Sequence, residues 1–121
     1  MRGKRVGIVG VGNVGSTCAY ILAMSGSCHE VILRSSSNPE KAKGLALDMS
    51  QAVHAARHHT VVRAAEKPSD ITDCDVIVVT AGSPRLPGMS RDDLLIKNAE
   101  IMRGVMQDVK KYSPNAIVVP V

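Results

Sequence analysis

Short, wholly aliphatic runs alternate along this chain with longer stretches in which apolar residues recur every three or four positions. Arg5 to Val9 reads as a buried strand and runs directly into Gly10-Val11-Gly12-Asn13-Val14-Gly15. From Ser16 the pattern turns helical, with Cys18, Ile21 and Leu22 on one apolar face, until Ser25-Gly26-Ser27 ends it. Val31-Ile32-Leu33 is the second strand, and Arg34 to Asn38 is a polar loop. Pro39 suits the first turn of a helix capped by Asn38, which runs through Leu45, Leu47 and Met49 toward His54. Thr60 to Arg63 reads as a third strand, Pro68-Ser69-Asp70 as a loop, and Val76-Ile77-Val78-Val79 as the strongest strand of all. A Gly- and Pro-bearing loop from Ala81 to Ser90 precedes an amphipathic helix from Arg91 to about Lys110, and Ala116 to Val121 is a last strand. Strands alternating with helices predict βαβ units. The expected fold is α/β, a doubly wound parallel sheet of about five strands, with residues 1–121 forming one domain.

Composition agrees with that layout. Aromatic residues are 2% of the 121, with no Trp and no Phe, so the core falls to Val, Ile, Leu, Ala and Met. Strands buried on both faces of a parallel sheet read as such aliphatic runs. The net charge of +4 is spread thinly, with no run of basic residues longer than two, and there are too few aromatics for a base-stacking platform. No nucleic-acid partner is expected; a small anionic ligand suits the charge. Cys18, Cys28 and Cys74 lack metal-ligand spacing and are odd in number, which predicts reduced thiols, no metal and a cytoplasmic location. No signal peptide and no bilayer-length apolar run are visible, so no membrane association is expected. His54, His58 and His59 lie near a helix end, and His29 lies before a strand; none is cast as a ligand or a base. Asp48 and Asp75 are read as packing, turn or subunit-contact residues, and the methionines as core filler.

The glycine motif carries the first functional signal, because it lies between a strand and a helix. Gly10 permits a tight turn, Gly12 lets backbone approach a pyrophosphate, and Gly15 lets helix and strand pack closely. The helix N-terminus then directs free N–H groups at the phosphates, with Asn13 and Val14 in the same cradle. NAD-binding domains place an acid at the end of the second strand to hold the ribose 2′-hydroxyl. Here the segment is Arg34-Ser35-Ser36-Ser37. Counting from the glycines puts Arg34 at the acid position, and counting back from Gly44 puts Ser36 there. An arginine with several hydroxyls suits a 2′-phosphate, so the expected cofactor is NADP, with NAD the alternative.

The loop from Thr80 to Arg91 is the second signal. It follows a buried strand and carries Arg85 and Arg91. Ligands of parallel sheets sit at such carboxyl ends, and arginine grips carboxylates with two parallel hydrogen bonds. Chemistry alone leaves two readings, a dicarboxylate grip or two solvent-facing arginines.

The sequence resembles the lactate/malate dehydrogenase family over essentially its whole length, on the malate side of the lactate-dehydrogenase-like plan. The resemblance is carried by Gly7 to Thr17, by Lys43-Gly44-Leu45-Ala46-Leu47-Asp48, by Asp75 to Gly82 and by Pro84 to Leu95. It implies that Arg91 closes over the substrate and polarises its carbonyl. Arg85 stands where malate enzymes have Arg and lactate enzymes Gln, and would balance the second carboxylate of oxaloacetate. Asn98 looks like the family's cofactor- and substrate-side asparagine, and Thr80, Ala81 and Gly82 would line the ribose side. The implied partners are malate or oxaloacetate and further copies of the chain in a homodimer or homotetramer. Departures are the missing ribose acid and Leu86, which stands where the family often has Lys. The family's substrate domain, with its Asp–His proton relay and another arginine, is absent from these residues, so the chain alone is expected to bind a dinucleotide without turnover. A lactate or other 2-hydroxy acid dehydrogenase is the remaining alternative, against which Arg85 argues.

Overall fold

The computed structural model describes residues 3–121. Five strands, β1 (Arg5–Val9), β2 (Glu30–Arg34), β3 (Val61–Ala65), β4 (Val76–Val79) and β5 (Ile117–Pro120), form one sheet in the order β3-β2-β1-β4-β5. Every pairing is parallel, and Gly7 of β1 sits in register between Ile32 of β2 and Ile77 of β4. The doubly wound parallel sheet expected from the alternation is therefore present. The helices are α1 (Asn13–Ser25), α2 (Pro39–Ala55) and α3 (Arg91–Tyr112).

Side chains on a strand alternate between faces, and the core divides accordingly. Val6, Ile8, Val31 and Leu33 pack with Ala19 and Ala23 of α1 and with Ala42, Ala46, Met49 and Val53 of α2. Val9, Ile32, Ile77 and Val79 pack on the other side with Ile71 and with Val109 of α3. Small helix residues on the first face let two helices lie close to the sheet. Ile8, Ile32, Leu33 and Ile77 are fully buried, each worth about 1.5–3 kcal/mol of transfer free energy. The chain leaves β1 toward β2 and β3 on one side and returns to β4 on the other. A crevice must open where strand order reverses, beyond the carboxyl ends of β1 and β4.

Local chemistry sets the ends. Gly26 closes α1 in the left-handed conformation (φ 69°). Asn38 Oδ1 accepts the Lys41 N–H at 3.1 Å, with Pro39 in the first turn of α2, as the sequence predicts. Ser90 and Asp93 cap α3 reciprocally, at 3.1 and 3.2 Å. Some differences from expectation have local causes. Helix α1 begins at Asn13, inside the glycine motif, because the Ser16 and Thr17 hydroxyls donate to Gly12 O and Asn13 O and secure that turn. Residues Pro68–Ile71 form a 3₁₀ turn, not a plain loop, held where Asp70 accepts the Glu66 and Lys67 N–H groups. Strand β3 runs to Ala65, two residues past the expected Arg63, following its pairing with Arg34.

At the opposite, amino end of the sheet, Glu30 bridges two strands. Arg5 of β1 donates to it at 2.8 Å, and Arg63 of β3 pairs with its other oxygen. Burial alone would raise the Glu30 carboxyl, but the two guanidiniums outweigh it and hold the group below the usual range. Asp75 Oδ2 accepts the Arg5 backbone N–H at 2.8 Å, joining the start of β1 to the residue before β4.

Candidate functional site

The glycine turn is built by the strands beneath it. Gly10 takes φ 113°, its N–H donates to Arg34 O at 2.9 Å, and its carbonyl accepts the Thr80 hydroxyl at 3.1 Å. A Cβ on Gly10 would stand 2.5 Å from Thr80 Oγ1. One on Gly15 would stand 1.9 Å from Gly10 O, so the chain itself requires glycine at both positions. Gly12 differs. Its φ of −73° suits any residue, and a Cβ there would meet nothing within 4 Å. No packing explains Gly12, whereas close approach of an outside group to its backbone does. A phosphate lying on the N-terminus of α1 is such a group, so the cradle fits a dinucleotide.

A cleft of about 620 Å³ opens at this edge, between the ends of β1, β2 and β4. Of the residues the sequence assigns to cofactor binding, Gly10, Gly12, Arg34, Ser35 and Ser36 line one side, and Thr80, Ala81 and Gly82 the other. Asn13, Val14 and Gly15 do not line it. They form the first turn of α1 behind the cradle, Val14 facing solvent and Gly15 buried against Gly10. Among the described residues no carboxylate lines the cleft, whereas Arg34, Lys41 and Lys97 do, so its field favours an anion.

The β2 end is more internally committed than the sequence suggests. The Arg34 guanidinium donates to Glu66 O at 3.2 Å. The Ser35 hydroxyl is buried and accepts the Asn38 N–H at 3.0 Å, so it organises the turn. Ser36, Ser37 and Lys41 complete the rim. Lys41 escaped the sequence reading, although the Asn38–Pro39 cap places it on the first turn of α2, beside the loop. Lys97 escaped it as well; it precedes Asn98 on α3.

Arg85 and Arg91, the two arginines of the loop after β4, do not line this cleft. Arg85 Nε donates to Met89 O at 3.1 Å and borders a shallow depression formed by its own loop. Arg91 opens α3 and is exposed. Asn98 lies on the same helix. Its Oδ1 accepts the Ser83 N–H at 2.7 Å, and its Nδ2 donates to Ser83 O at 3.4 Å. His29, His58 and His59 border a depression at the far end of the sheet with Lys4 and Arg57. Burial pushes the Cys28 and Cys74 thiols up, which keeps them protonated and poorly nucleophilic.

The family model for the lactate/malate dehydrogenase NAD binding domain matches residues 4–121. The chain belongs to the lactate/malate dehydrogenase family. Among curated relatives, a malate dehydrogenase of Sulfurimonas denitrificans is 64% identical over 120 residues, which cover 99% of this chain and 37% of that protein. Among solved structures, the apo malate dehydrogenase of Picrophilus torridus superposes with TM-score 0.91 at 35% identity, over 98% of this chain and 38% of that one. The malate dehydrogenase of Archaeoglobus fulgidus in complex with NADH gives 0.89 at 30% identity, over 96% of this chain and 39% of that one. The chain thus spans under two-fifths of the length of these family members and corresponds to their cofactor-binding domain. The cradle and cleft fit a nicotinamide dinucleotide, and the family's description favours NAD over NADP. Among the described residues no helix is long and apolar enough to cross a membrane.

Proposed function

We propose that the intact protein is a malate dehydrogenase, interconverting (S)-malate and oxaloacetate with a nicotinamide dinucleotide. The observation that carries the proposal is Arg85 in the loop that leaves β4, directly after the residues of that loop, Thr80 to Pro84, that line the cleft. When bound, the nicotinamide supplies the hydride chemistry, and the protein binds, orients and polarises. The Gly12 backbone and the N-terminus of α1 would hold the pyrophosphate, and Thr80, Ala81 and Gly82 would border the ribose side. Arg91 would stabilise the charge developing on the substrate oxygen, and Arg85 would balance the second carboxylate. The proton is handled by groups outside these residues. For residues 1–121 alone, we propose dinucleotide binding without turnover, a reading supported by their share of the relatives' length.

Within that frame we propose NADP as the preferred form. The family's description points the other way, to NAD. Supporting NADP are the lack of any carboxylate along the cleft among the described residues and the presence of Arg34, Ser36 and Lys41 at the β2 end. We propose a cytoplasmic homodimer or homotetramer. Three unpaired cysteines and exposed apolar residues on the helices, Ile21 and Leu47 among them, support it.

The test is steady-state kinetics of the intact protein with oxaloacetate and with pyruvate, each with NADPH and NADH. Higher kcat/KM for oxaloacetate and for NADPH is expected. Preference for pyruvate would overturn the substrate reading, and preference for NADH the cofactor reading.

A further inference from the structure

The amino ends of β1, β2 and β3, at the other end of the sheet from the cofactor cleft, gather basic side chains. Lys4 precedes β1, His29 precedes β2, and Arg57, His58 and His59 lie just before β3. Backbone pairing sets these segments side by side. Lys4 O accepts the His29 N–H at 2.8 Å, and His29 O accepts the Val61 N–H at 2.9 Å. Neighbouring strands lie about 4.8 Å apart, so side chains from all three segments can reach one small ligand. All five basic residues line a single depression of about 460 Å³.

Two observations set this cluster apart from ordinary solvated charge. The first is that nothing within the fold answers it. Among the described residues, none of the five side chains makes a hydrogen bond or ion pair, and no carboxylate lines the depression. Acids on adjoining segments are engaged elsewhere. Glu30 holds Arg5 and Arg63, and Asp73 and Asp75 line a separate depression that Lys4 also borders. Helix carboxyl ends attract cations, but the last carbonyls of α2 already have donors. Ala52 O, Val53 O and His54 O accept the N–H groups of Ala56, His58 and Arg57 at 2.9 to 3.0 Å. The His54 ring is bonded to Ser50 O at 2.7 Å, and the buried Cys28 thiol, pushed up by burial, adds no charge. The second observation is the backbone of Arg57. It takes φ 59° in the left-handed position that closes α2, where glycine is favoured and a side chain strains the chain. Within the fold its guanidinium has no partner, whereas an anion in the depression would give it one.

We propose that this depression is a second binding site, for a phosphate-class oxyanion gripped by Lys4 and Arg57 and held more tightly as His29, His58 and His59 take up protons. A dianion placed among these groups forms charge-assisted hydrogen bonds from several directions. It also stabilises each imidazolium, so binding near neutral pH is linked to proton uptake. The site is independent of which substrate the intact protein takes.

Sulfate is the probe, because it stays a dianion across the range in which histidine titrates. Calorimetric titration of the intact protein, with the dinucleotide at saturation to fill the cradle, should give a Kd of about 1 mM or tighter at about pH 6 and about tenfold weaker at about pH 8. Heats measured in buffers of different ionisation enthalpy should show net proton uptake at about pH 7. Arg57→Gly should weaken sulfate binding at least about fivefold. It should leave the dinucleotide Kd within about twofold and the urea midpoint unchanged or higher, because glycine suits the left-handed position. Lys4→Met should weaken sulfate binding likewise from a separate segment, and it decides the case should Arg57→Gly fail to fold. His29→Gln, His58→Gln and His59→Gln together should abolish both the pH dependence and the proton uptake. Glycerol phosphate should displace sulfate with a Kd within about threefold, since the exposed depression leaves room for a substituent; failure to displace it would assign the site to the free ion alone. Absence of saturable binding at the lower pH would overturn the site, as would sulfate affinity unchanged by both Arg57→Gly and Lys4→Met. Proton uptake that survives the three glutamines would remove the histidines from it.

Discussion

Gly12 and Gly15 lie three residues apart in one motif, yet the structure assigns them opposite consequences on substitution. A methyl group at Gly15 would stand 1.9 Å from Gly10 O, a backbone atom that cannot turn aside. Relief would require α1 to lift from β1, and overpacking of this kind costs about 1–3 kcal/mol or more. At Gly12 the same methyl group meets nothing within 4 Å, and φ is already −73°. Replacing Gly by Ala at a compatible conformation stabilises by about 0.4–1 kcal/mol through the unfolded chain. Alanine at a helix N-cap costs about a few tenths to 1 kcal/mol relative to glycine, because it leaves the cap less well solvated. The two effects nearly cancel, so Gly12→Ala should change stability by no more than about 0.5 kcal/mol. Its effect should appear in binding. A phosphate lying against the Gly12 backbone would meet the methyl group, and the dinucleotide Kd should weaken at least about tenfold, or about 1.4 kcal/mol. Denaturant unfolding and calorimetric titration of the intact protein, run on both variants, separate the cases. Gly15→Ala should lose stability, and Gly12→Ala should keep stability and lose affinity. A Gly12→Ala protein that binds with wild-type Kd would refute the reasoning and reduce the motif to a turn.

Arg85→Gln should move substrate preference from oxaloacetate toward pyruvate by at least about tenfold in the kcat/KM ratio, because a neutral amide cannot balance a second carboxylate; an unmoved ratio would remove Arg85 from that role. Lys41→Met should weaken NADPH binding about tenfold and leave NADH within about twofold, flattening the salt dependence for NADPH alone, whereas equal loss for both would place Lys41 near a phosphate common to the two. Glu30 has a lowered carboxyl pKa in the fold, so its contribution is full above the unfolded value of about 4.3 and is lost as pH falls through the folded value. Glu30→Gln should therefore cost about 1–3 kcal/mol at pH 7, discounted for partial exposure, and lessen the acid-side decline in urea-unfolding free energy; an unaltered profile would discount the Arg5–Glu30–Arg63 bridge.

Much of the fold was legible because its signals are local. The runs Val31–Leu33 and Val76–Val79 announce buried strands, and Asn38-Pro39 and Ser90-Arg91 announce helix starts, since each element's chemistry is satisfied within a few residues. What escaped involves partners chosen in three dimensions. Arg34 reads as a free phosphate ligand, whereas one of its guanidinium nitrogens already donates to the Glu66 carbonyl that β3 brings beside it, leaving its other donors for a ligand. Ser35 reads as one hydroxyl among three, yet only this one turns inward to accept the Asn38 N–H. Asp70 turns an expected loop into a 3₁₀ turn by accepting two backbone N–H groups. In each case a polar side chain found a backbone partner, and nothing in residue type or spacing distinguishes that from a free ligand group.

The two functional signals also differ mechanically, and the difference follows from what holds each one. The cradle is fixed by strand register and by contacts too tight for a Cβ, so its geometry is as stable as the centre of the sheet. A pyrophosphate needs such a surface, because backbone N–H groups stabilise charge best when they need not reorganise. The arginine loop is the opposite. Among the described residues, its segment 84–89 hydrogen-bonds to itself, and the neighbouring Ser83 and Ser90 are tied to α3. Under the proposed substrate reading, a loop that admits a substrate and then closes over it would need that freedom, and two arginines gripping one small dicarboxylate would need a defined spacing. A tether at each root meets both demands, since it leaves the body of the loop free to swing while fixing where the swing begins and ends.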